Sequence, residues 1–345
     1  MILNDIGYTK IKVVGVGGGG SNAVSKMYNN RIRGVEYITV NTDYQDLNDS
    51  QTPVRLMVGT SGIGVGGDPK KGRMFFEKNS DEISKLLNGC NLVFVAAGMG
   101  GGTGTGGVSV VAKIAKQLGA LVVGVVTTPF SFEGVTRKNN SDWGIKELKN
   151  NVDTLVTVPN DKILQSTANK STQNPFRKTD EVLDLCVKSI SEMILEAGNI
   201  NIDFADVKTI IGKSGSARMS LGNGYGTDKA QQALESAIYN PLLEKSIVGA
   251  TRVIFNVTGG EDMTLSEVHD ISKTLTSLTS KNCEIIFGTK IDPMMEDEIY
   301  LTLIAAGFPD DQKDPKPEYR KRTLEILENN QLTVPSSLVP ASGVA

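Results

Sequence analysis

The sequence predicts an α/β protein with a Rossmann-like parallel-sheet domain, a long central helix and a smaller mixed α/β C-terminal domain. Short, continuous apolar runs alternate with amphipathic helical patterns in the first half of the chain. Glycine-rich or polar turns follow these runs, and one long helical stripe precedes a second set of strands. Apolar strands separated by helices are typical of a parallel sheet covered on both faces. A length of 345 residues suits two domains.

The first predicted domain spans residues 10–175. Its strands are the apolar runs at 11–16, 35–40, 91–97, 121–128 and 153–159. Helices are expected at 21–30, 108–118 and 139–150, and Asp68 with Pro69 predicts the start of another after the loop at 62–72. Ligands of parallel sheets bind at the carboxyl ends of the strands, so the turns that follow these strands should converge on one site.

The rest of the chain divides into three predicted segments. A central helix is expected within residues 176–200, because apolar residues recur there at helical spacing until Gly198, at Val182, Leu185, Cys186, Ile190, Met193, Ile194 and Ala197. The C-terminal domain, 201–310, should hold helices at 228–238 and 264–278 and strands at 253–259, 283–289 and 300–306. The tail, 311–345, is charged and then rich in Pro and Ser, with one helix expected near 317–329.

Composition disfavours several classes of function. Lys and Arg total 36 and Asp and Glu total 39, a net charge of −3, whereas a dedicated nucleic-acid binder usually has a basic excess. Cys90, Cys186 and Cys283 are too far apart for a disulfide framework or a zinc site. His269 is the only histidine, which disfavours a His-based triad or a multi-histidine metal centre. The sequence has neither a signal-peptide pattern nor an apolar run of membrane length, so we expect a cytosolic protein.

The first glycine run, GVGGGG at 15–20, lies between a predicted strand and a predicted helix. This G-x-G-x-x-G pattern is typical of a dinucleotide-binding turn, in which a helix N-terminus holds phosphate. Asp43 follows the second strand, roughly where a ribose-binding acid is expected. The alternative interpretation is a tight strand–helix turn with no ligand.

The second glycine run, GGGTGTG at 100–106, has five glycines and two threonines at another strand–helix junction. Its backbone N–H groups can form an anion-binding nest, and the hydroxyls of Thr103 and Thr105 add donors. Two phosphate loops on neighbouring strands favour a triphosphate over the single phosphate turn of a dehydrogenase. No G-x-x-x-x-G-K-[ST] stretch occurs, which disfavours a P-loop NTPase.

The second glycine run resembles the signature of the tubulin/FtsZ superfamily. Other segments are similar to the FtsZ family of division GTPases and occur in that family's order across residues 10–308: IKVVGVGGGGSNAV, NTDYQDL, GVVTTPFSFEGVTR, TLVTVPNDKIL, NIDFADVKT and IIFGTKIDP. The resemblance implies a tubulin/FtsZ-like fold that binds and hydrolyses GTP. It also implies head-to-tail polymerisation into protofilaments and a role in the cell-division ring, with the protein in the cytoplasm at the division site.

The resemblance also implies which residues contact the nucleotide. They are Gly17, Gly18, Gly19, Gly20, Asn22, Asp43, Gly66, Gly67, Gly100, Gly101, Gly102, Thr103, Gly104, Thr105, Gly106, Pro129, Glu133, Arg137, Asn160, Phe176 and Asp180. Asn160 and Asp180 would read guanine, with Phe176 beside the base, since a carboxylate accepts from N1–H and the 2-amino group and an amide serves O6 and N7. Glu181 remains an alternative to Asp180.

The segment NIDFADV at 201–207 supplies the candidate catalytic residues Asn201, Asp203 and Asp206. Read locally, Asp203 is a helix cap and Asp206 an acid in the first helical turn. The resemblance implies instead that this loop enters the nucleotide site of the next subunit, where its acids activate the attacking water. Phosphoryl transfer needs a positioned water and little covalent chemistry, so acids supplied by a neighbour are reasonable.

The resemblance fixes the expected ligands and partners. GTP and GDP are the nucleotides, Mg²⁺ is held through phosphates and water, and no protein metal ligands are expected. The partners are further copies of the chain and proteins of the division machinery, without nucleic acid and without direct insertion into a membrane. Two other hypotheses stay open: an NAD-dependent oxidoreductase, based on GVGGGG and Asp43, and a filament or partner-binding protein that does not hydrolyse nucleotide.

Overall fold

A computed structural model describes residues 9–167, 175–196, 198–200, 202–212, 215–238, 247 and 249–308. The predicted tail at 311–345, its helix near 317–329 and the candidate residue Asn201 lie outside them. The described residues form two compact units. The first unit runs to Leu195 and also contains Ile211–Ser216, whereas the second comprises Glu196–Ile210 and the described residues from Ala217 onward. Among the described helices, none combines the length and apolar character needed to cross a membrane.

The first unit is built on a parallel sheet of seven strands in the order β3-β2-β1-β4-β5-β6-β7. The strands are β1 (Ile11–Val16), β2 (Val35–Asn41), β3 (Val54–Met57), β4 (Leu92–Gly98), β5 (Leu121–Thr128), β6 (Thr154–Pro159) and β7 (Gly215–Ser216). The central strand β1 is buried along its whole length, as its apolar run predicts. The chain order reverses between β1 and β4, and such a switch point is where ligands bind in open α/β sheets.

Helices cover the sheet of the first unit. They are α1 (Gly17–Asn29), α2 (Tyr44–Asp49), α3 (Pro69–Lys78), α4 (Ser80–Leu87), α5 (Thr103–Gln117), α6 (Val135–Lys149), α7 (Asn160–Thr167) and α8 (Pro175–Leu195). Side chains of α3, α4 and α5 pack with those of β1, β2 and β4 in one apolar cluster that includes Phe76, Ile83, Val95 and Val111. This core fixes the strand ends and helix starts from which the candidate site is built.

Helix α8 confirms the predicted helix, but its buried face is rotated slightly from the predicted apolar stripe. Leu183, Cys186, Val187, Ile190 and Met193 are buried. Leu185, which the sequence pattern placed in the stripe, is 44% exposed. Leu183 lies three residues before Cys186 and four before Val187, and Val187 lies three residues before Ile190. These are the spacings of one helical face, so Leu183 and Val187 belong to the buried face.

The second unit is a smaller mixed α/β domain. Its four-stranded sheet has the order β10-β9-β11-β8, with β9 and β10 parallel and β11 antiparallel to both of its neighbours. Its elements are α9 (Phe204–Ile211), whose last residue belongs to the first unit, then β8 (Arg218–Tyr225), α10 (Lys229–Ile238), β9 (Arg252–Gly259), α11 (Leu265–Leu278), β10 (Glu284–Ile291) and β11 (Glu298–Ala306). Helices α10 and α11 share one apolar core with β9 and β11.

Candidate nucleotide-binding site

The two glycine runs meet at the carboxyl edge of the central strands. Gly17 follows β1 with φ +69°, and a β-carbon on it would lie 2.5 Å from the backbone nitrogen of Gly104. A β-carbon on Gly19 would lie 3.3 Å from the Cα of Gly98. The turns therefore pack backbone against backbone, an approach that only glycine permits. The predicted convergence of the two runs is confirmed.

Helices α1 and α5 begin inside these glycine runs without a side-chain cap. Neither has an acidic residue in its first turn. By contrast, the Asp43 carboxylate caps α2 and the Asp68 carboxylate caps α3, the latter as the sequence predicted. The first N–H groups of a helix have no partner within the helix and carry its positive dipole end. Two such ends side by side offer one concentrated site for an anion with several phosphates.

The two threonines of the second run have different roles. Thr105 is buried, and its hydroxyl accepts a hydrogen bond of 2.8 Å from the Gly100 N–H, so it shapes the turn. The Thr103 hydroxyl lies 2.7 Å from that of Thr42, which follows β2. The second run is thus tied both to itself and to the neighbouring strand end.

The turn after β2 contributes residues that the sequence analysis did not single out. Buried Asn41 donates a 3.1 Å hydrogen bond to Asp46, whose carboxylate faces Gly18. Both residues lie in the segment NTDYQDL that carries the resemblance, but no role was assigned to either from the sequence. Asp43, the predicted ribose contact, is already engaged, because its Oδ1 accepts from the N–H groups of Gln45 and Asp46 at 2.9 and 3.4 Å.

The loop before α3 lies against the second glycine run. Gly66 and Gly67 have φ values of +63° and +80°, and nothing lies within 4 Å of a β-carbon on either residue. A β-carbon on Gly102 would lie 2.4 Å from the Val65 side chain. The Asn140 amide on α6 donates to the carbonyls of Gly67 and Gly100, each at 3.2 Å. No sequence motif marked Asn140.

The segment after β5 lines the same run from the other side. Glu133 accepts a 2.9 Å hydrogen bond from the Phe130 N–H and forms an ion pair with Arg137 one helical turn later. A β-carbon on Gly100 would lie 3.1 Å from the Arg137 carbonyl and 3.4 Å from the ring of Pro129. Arg137 and Pro129 therefore lie beside the second glycine run, with Glu133 paired to Arg137; the contact of these three residues with nucleotide stays a prediction.

The candidate base-binding residues meet where α7, α8 and α1 pack. The buried Asn160 oxygen accepts a 3.2 Å hydrogen bond from the Thr179 hydroxyl. Asp180 retains 14% of its side-chain exposure and pairs with Lys26 of α1 at 2.5 Å. Burial raises the pKa of the Asp180 carboxyl, and the hydrogen bond from Lys26 opposes that rise. Lys26 was missed because a lysine on an exposed helix face has no local signal.

Three other predicted residues of the site are Glu181, Asn22 and Phe176. Glu181 is 44% exposed, and its hydrogen bond to Lys178 lowers the pKa of its carboxyl. It therefore belongs to the solvent face of α8, one residue from Asp180. Asn22 is exposed on α1. Phe176 lies in the first turn of α8, and its side chain is outside the described part of the structure.

The candidate catalytic acids lie in the second unit. Asp203 and Asp206 cap α9 reciprocally: the Asp206 N–H donates to the Asp203 carboxylate at 2.8 Å, and the Asp203 N–H donates to Asp206 at 3.3 Å. Asp203 is exposed and Asp206 is half-buried. The segment before them is fixed to β10, because Ile200 pairs with Thr289. The local capping interpretation is correct, and it leaves both carboxylates accessible to solvent.

Comparison with known proteins identifies both halves of the chain. The family described as "Tubulin/FtsZ family, GTPase domain" matches residues 10–168, and "FtsZ family, C-terminal domain" matches residues 215–309. An FtsZ dimer structure from M. jannaschii is 38% identical, with a TM-score of 0.83 over 88% of this chain and 89% of that chain.

More distant structures share the fold. CetZ1 from Haloferax volcanii, in a GDP-bound monomer, is 21% identical, with a TM-score of 0.73 over 93% of this chain and 99% of that one. CetZ2 from the same organism, in a GTPγS-bound protofilament, is 20% identical, with a TM-score of 0.74 over the same shares. The family matches and the 38% identical relative show that this chain belongs to the FtsZ family of the tubulin/FtsZ cytoskeletal GTPases, which bind and hydrolyse GTP.

Proposed function

We propose that this protein polymerises head-to-tail into protofilaments and forms the cell-division ring. GTP lies across the converging loops of the first unit. The observation that carries the placement of GTP is the pair of uncapped helix N-termini, α1 and α5, in backbone contact at the switch point of the sheet. Their combined N–H groups suit a triphosphate, whereas a dinucleotide needs only one such turn. This distinction disfavours the oxidoreductase hypothesis.

The base would lie at the other end of the site, between Asn160 and Asp180. Asp180 suits this role better than Glu181, because Asp180 is the sheltered carboxylate and Lys26 helps to keep it ionised. An ionised carboxylate accepts from guanine N1–H and the 2-amino group, both of which adenine lacks. A wrong base would leave buried polar groups unpaired at about 1–3 kcal/mol each, so GTP should bind far more tightly than ATP.

Mg²⁺ is expected to accompany GTP. Within the described residues, no cluster of three or more His, Cys, Asp or Glu side chains could hold a metal by itself. Mg²⁺ is usually held by substrate phosphates and waters with one or two carboxylates, and Asp46 beside Gly18 offers an oxygen ligand next to the phosphate loops. Asp46 therefore fits a hydrated Mg²⁺, which would neutralise charge on the phosphates.

Hydrolysis is proposed to need two subunits. Asp203 and Asp206 belong to the second unit, whereas every glycine loop belongs to the first. The similar structures of an FtsZ dimer and a CetZ2 protofilament support self-association. In such a polymer, the acidic loop of one subunit would orient water toward the γ-phosphate held by its neighbour.

Membership of the FtsZ family supports the cellular part of the proposal. Proteins of the division machinery are proposed as partners, at a division site in the cytoplasm. The net charge of −3 gives no general attraction to nucleic acid or to an anionic membrane. Attachment to the membrane would then require another protein rather than insertion of this chain.

Turnover as a function of protein concentration tests the proposal. Phosphate release and light scattering are measured together with GTP, GDP and ATP. Specific activity should be near zero in dilute protein and rise above a critical concentration at which scattering also rises, with GTP only. Constant specific activity on dilution would contradict a site completed between subunits.

The variant Asp206→Asn isolates the proposed catalytic charge. Asparagine can still accept the capping hydrogen bond from the Asp203 N–H, so α9 should remain formed. We expect normal GTP binding and assembly, with turnover lower by about 10²–10⁴-fold, the usual effect of a positioned acid or base. Asp270→Asn, at an exposed position of α11, is the control and should match the wild type. Loss of GTP binding in Asp206→Asn would place the acid in its own pocket.

A further inference from the structure

Asn140 connects two loops of the candidate site that are far apart in the sequence. Its side-chain nitrogen donates one hydrogen bond to the Gly67 carbonyl and one to the Gly100 carbonyl, each of 3.2 Å. The residue is half-buried on the first half of α6. Gly67 and Gly100 both have positive φ values, +80° and +109°. One amide thus fixes two turns whose conformations favour glycine.

Asn140 donates a hydrogen bond to the second half of the loop at 62–68, whereas other elements hold its first half. In the first half, the Tyr44 N–H donates to Gly62 at 2.9 Å and the Gly64 N–H donates to Thr42 at 3.1 Å. Around Gly66 and Gly67, no atom lies within 4 Å of where a side chain would begin. A 3.3 Å hydrogen bond from the Asp68 N–H to the Val65 carbonyl closes the turn around Gly66 and Gly67, and the bond from Asn140 joins this closed turn to α6.

The opposite loop is already rigid. The Gly100 N–H donates to the buried Thr105 hydroxyl, and Gly100 also packs against the Arg137 backbone. Farther along, Gly102 packs tightly against Val65 and against the backbone of Gly67 and Asp68. The two loops therefore touch at Gly102, and Asn140 provides a second point of attachment nearer to Gly100. The two hydrogen bonds from Asn140 add a directional link to this packing, which limits how far the Gly66–Gly67 turn can tilt away from the second glycine run.

We infer that Asn140 is a positioning residue for GTP: its amide locks the Gly66–Gly67 turn against the second glycine run, so that both face the same phosphate groups. The inference rests on the phosphate placement of the proposed function. A primary amide suits this role because its NH₂ group has two hydrogens for two carbonyls and adds no charge beside the phosphates. Fixing the turn before GTP arrives removes an ordering cost from binding.

Nucleotide dissociation from Asn140→Ala tests the inference, with Asn139→Ala as the matched control. Asn139 is the preceding residue of the same helix and is exposed. Fluorescent GTP and GDP are displaced from protein kept too dilute to assemble. We expect dissociation to be about tenfold faster in Asn140→Ala, the loss expected from two neutral hydrogen bonds, and within about twofold of the wild type in the control.

Asn140→Asp provides a second variant of the same shape. It removes both donors and presents carboxylate oxygens to two carbonyl oxygens, so it should bind GTP at least as weakly as Asn140→Ala. Normal GTP dissociation from Asn140→Asp would overturn the inference, because the two donated hydrogen bonds would then be dispensable.

Hydrogen exchange separates a positioning role from a merely structural one. In nucleotide-free Asn140→Ala, amides of residues 64–68 should exchange faster, while those of β4 and the melting temperature stay as in the control. Faster exchange throughout β4 with a lower melting temperature would overturn the inference, as would unchanged loop exchange with unchanged dissociation. If Gly104→Ala leaves GTP dissociation unaltered, the phosphate placement itself fails, which is a separate result.

Discussion

At the scale of single residues, the carboxyl groups of Asp184 and Glu181 on α8 have pKa values that are shifted in opposite directions. Burial raises the pKa of Asp184, and nearby Lys188 only partly opposes that rise. The hydrogen bond from Lys178 lowers the pKa of Glu181. A raised carboxyl pKa means that the folded state accommodates the ionised form less well than the unfolded chain does. At neutral pH, the ionised Asp184 therefore lowers the free energy of unfolding, whereas the ionised Glu181, less than one turn away, raises it.

We predict that Asp184→Asn stabilises the protein at pH 7, by about 0.5 kcal/mol, the scale of a change at a partly exposed site. The stability associated with Asp184 is fully present below the unfolded pKa, about 3.9, and is lost as pH rises through the folded pKa. The advantage of the variant should therefore shrink as pH falls toward about 4. Chemical denaturation at several pH values measures it.

Glu181→Gln is the matched control for that experiment. Its carboxyl pKa is lowered, so the stability that it contributes is present above the unfolded pKa and is lost on acidification through the folded pKa. The substitution should slightly destabilise the protein at pH 7 and lose its effect in acid. If Asp184→Asn destabilises the protein at pH 7, as Glu181→Gln is expected to do, the burial argument for Asp184 is wrong.

Sequence alone located the two glycine runs, but it missed polar side chains whose partners are distant in the sequence. Gly17 and Gly104 were found because a strand, a glycine run and a helix occur in succession, and backbone chemistry is local. The reason for Gly104 proved to be steric: a β-carbon there would lie 2.9 Å from the Gly98 carbonyl, and its φ is not positive. Asn140 and Lys26 were missed because their partners are 40 or more residues away in sequence.

At the scale of elements, the sequence pattern failed where glycine replaces apolar side chains. Strand β8 was not predicted because Gly222, Asn223 and Gly224 interrupt its alternation. The structure shows why glycine is there: β-carbons on Gly222 and Gly224 would lie 1.9 and 2.0 Å from carbonyls of α10. Helix α5 starts at Thr103, five residues before the predicted start. The prediction was late because glycine has a low helix propensity, and the local sequence does not reveal the tertiary contacts that override it.

The cap of α2 yields a prediction about Asp43. If the carboxylate acts only as this cap, Asp43→Ala should cost about 1 kcal/mol of stability and weaken GTP and 2′-deoxy-GTP equally. If it binds the ribose 2′-hydroxyl, the variant should lose affinity for GTP but not for the deoxy analogue. Because the Asp43 carboxylate accepts hydrogen bonds from two N–H groups of α2, we expect equal losses, measured by competition with a fluorescent nucleotide.

Asp43→Asn serves as the control, since asparagine is as good a helix cap as aspartate. It should bind both nucleotides nearly as the wild type does. A selective loss of GTP affinity in either variant would restore the ribose assignment that the sequence pattern suggested.

At the scale of the whole molecule, the division of labour between units permits a complementation experiment. Asp206→Asn should bind GTP without hydrolysing it, and Gly104→Ala should keep the acidic loop but bind no GTP, since its β-carbon would meet backbone carbonyls of Gly98 and Val16. Equal mixing into head-to-tail filaments should give an active junction at about a quarter of contacts, because each junction pairs one pocket with one loop. Phosphate release should recover accordingly.

The control mixes Asp206→Asn with a chain that carries both substitutions. That mixture has pockets without any acidic loop, so it should stay inactive. Recovery of turnover there, or none in the first mixture despite shared filaments seen by labelling each variant, would contradict hydrolysis across a subunit junction.

The position of β7 has a consequence for biosynthesis. The chain leaves the first unit after Leu195, returns for Ile211–Ser216 and leaves again at Ala217. A ribosome must therefore release Asp203 and Asp206 before it can supply the last strand of the sheet, which until then has an unpaired edge at β6. Any truncated gene product that completes this sheet also encodes the acids. The GTP-binding sheet cannot be made whole without the loop proposed to hydrolyse a neighbour's nucleotide.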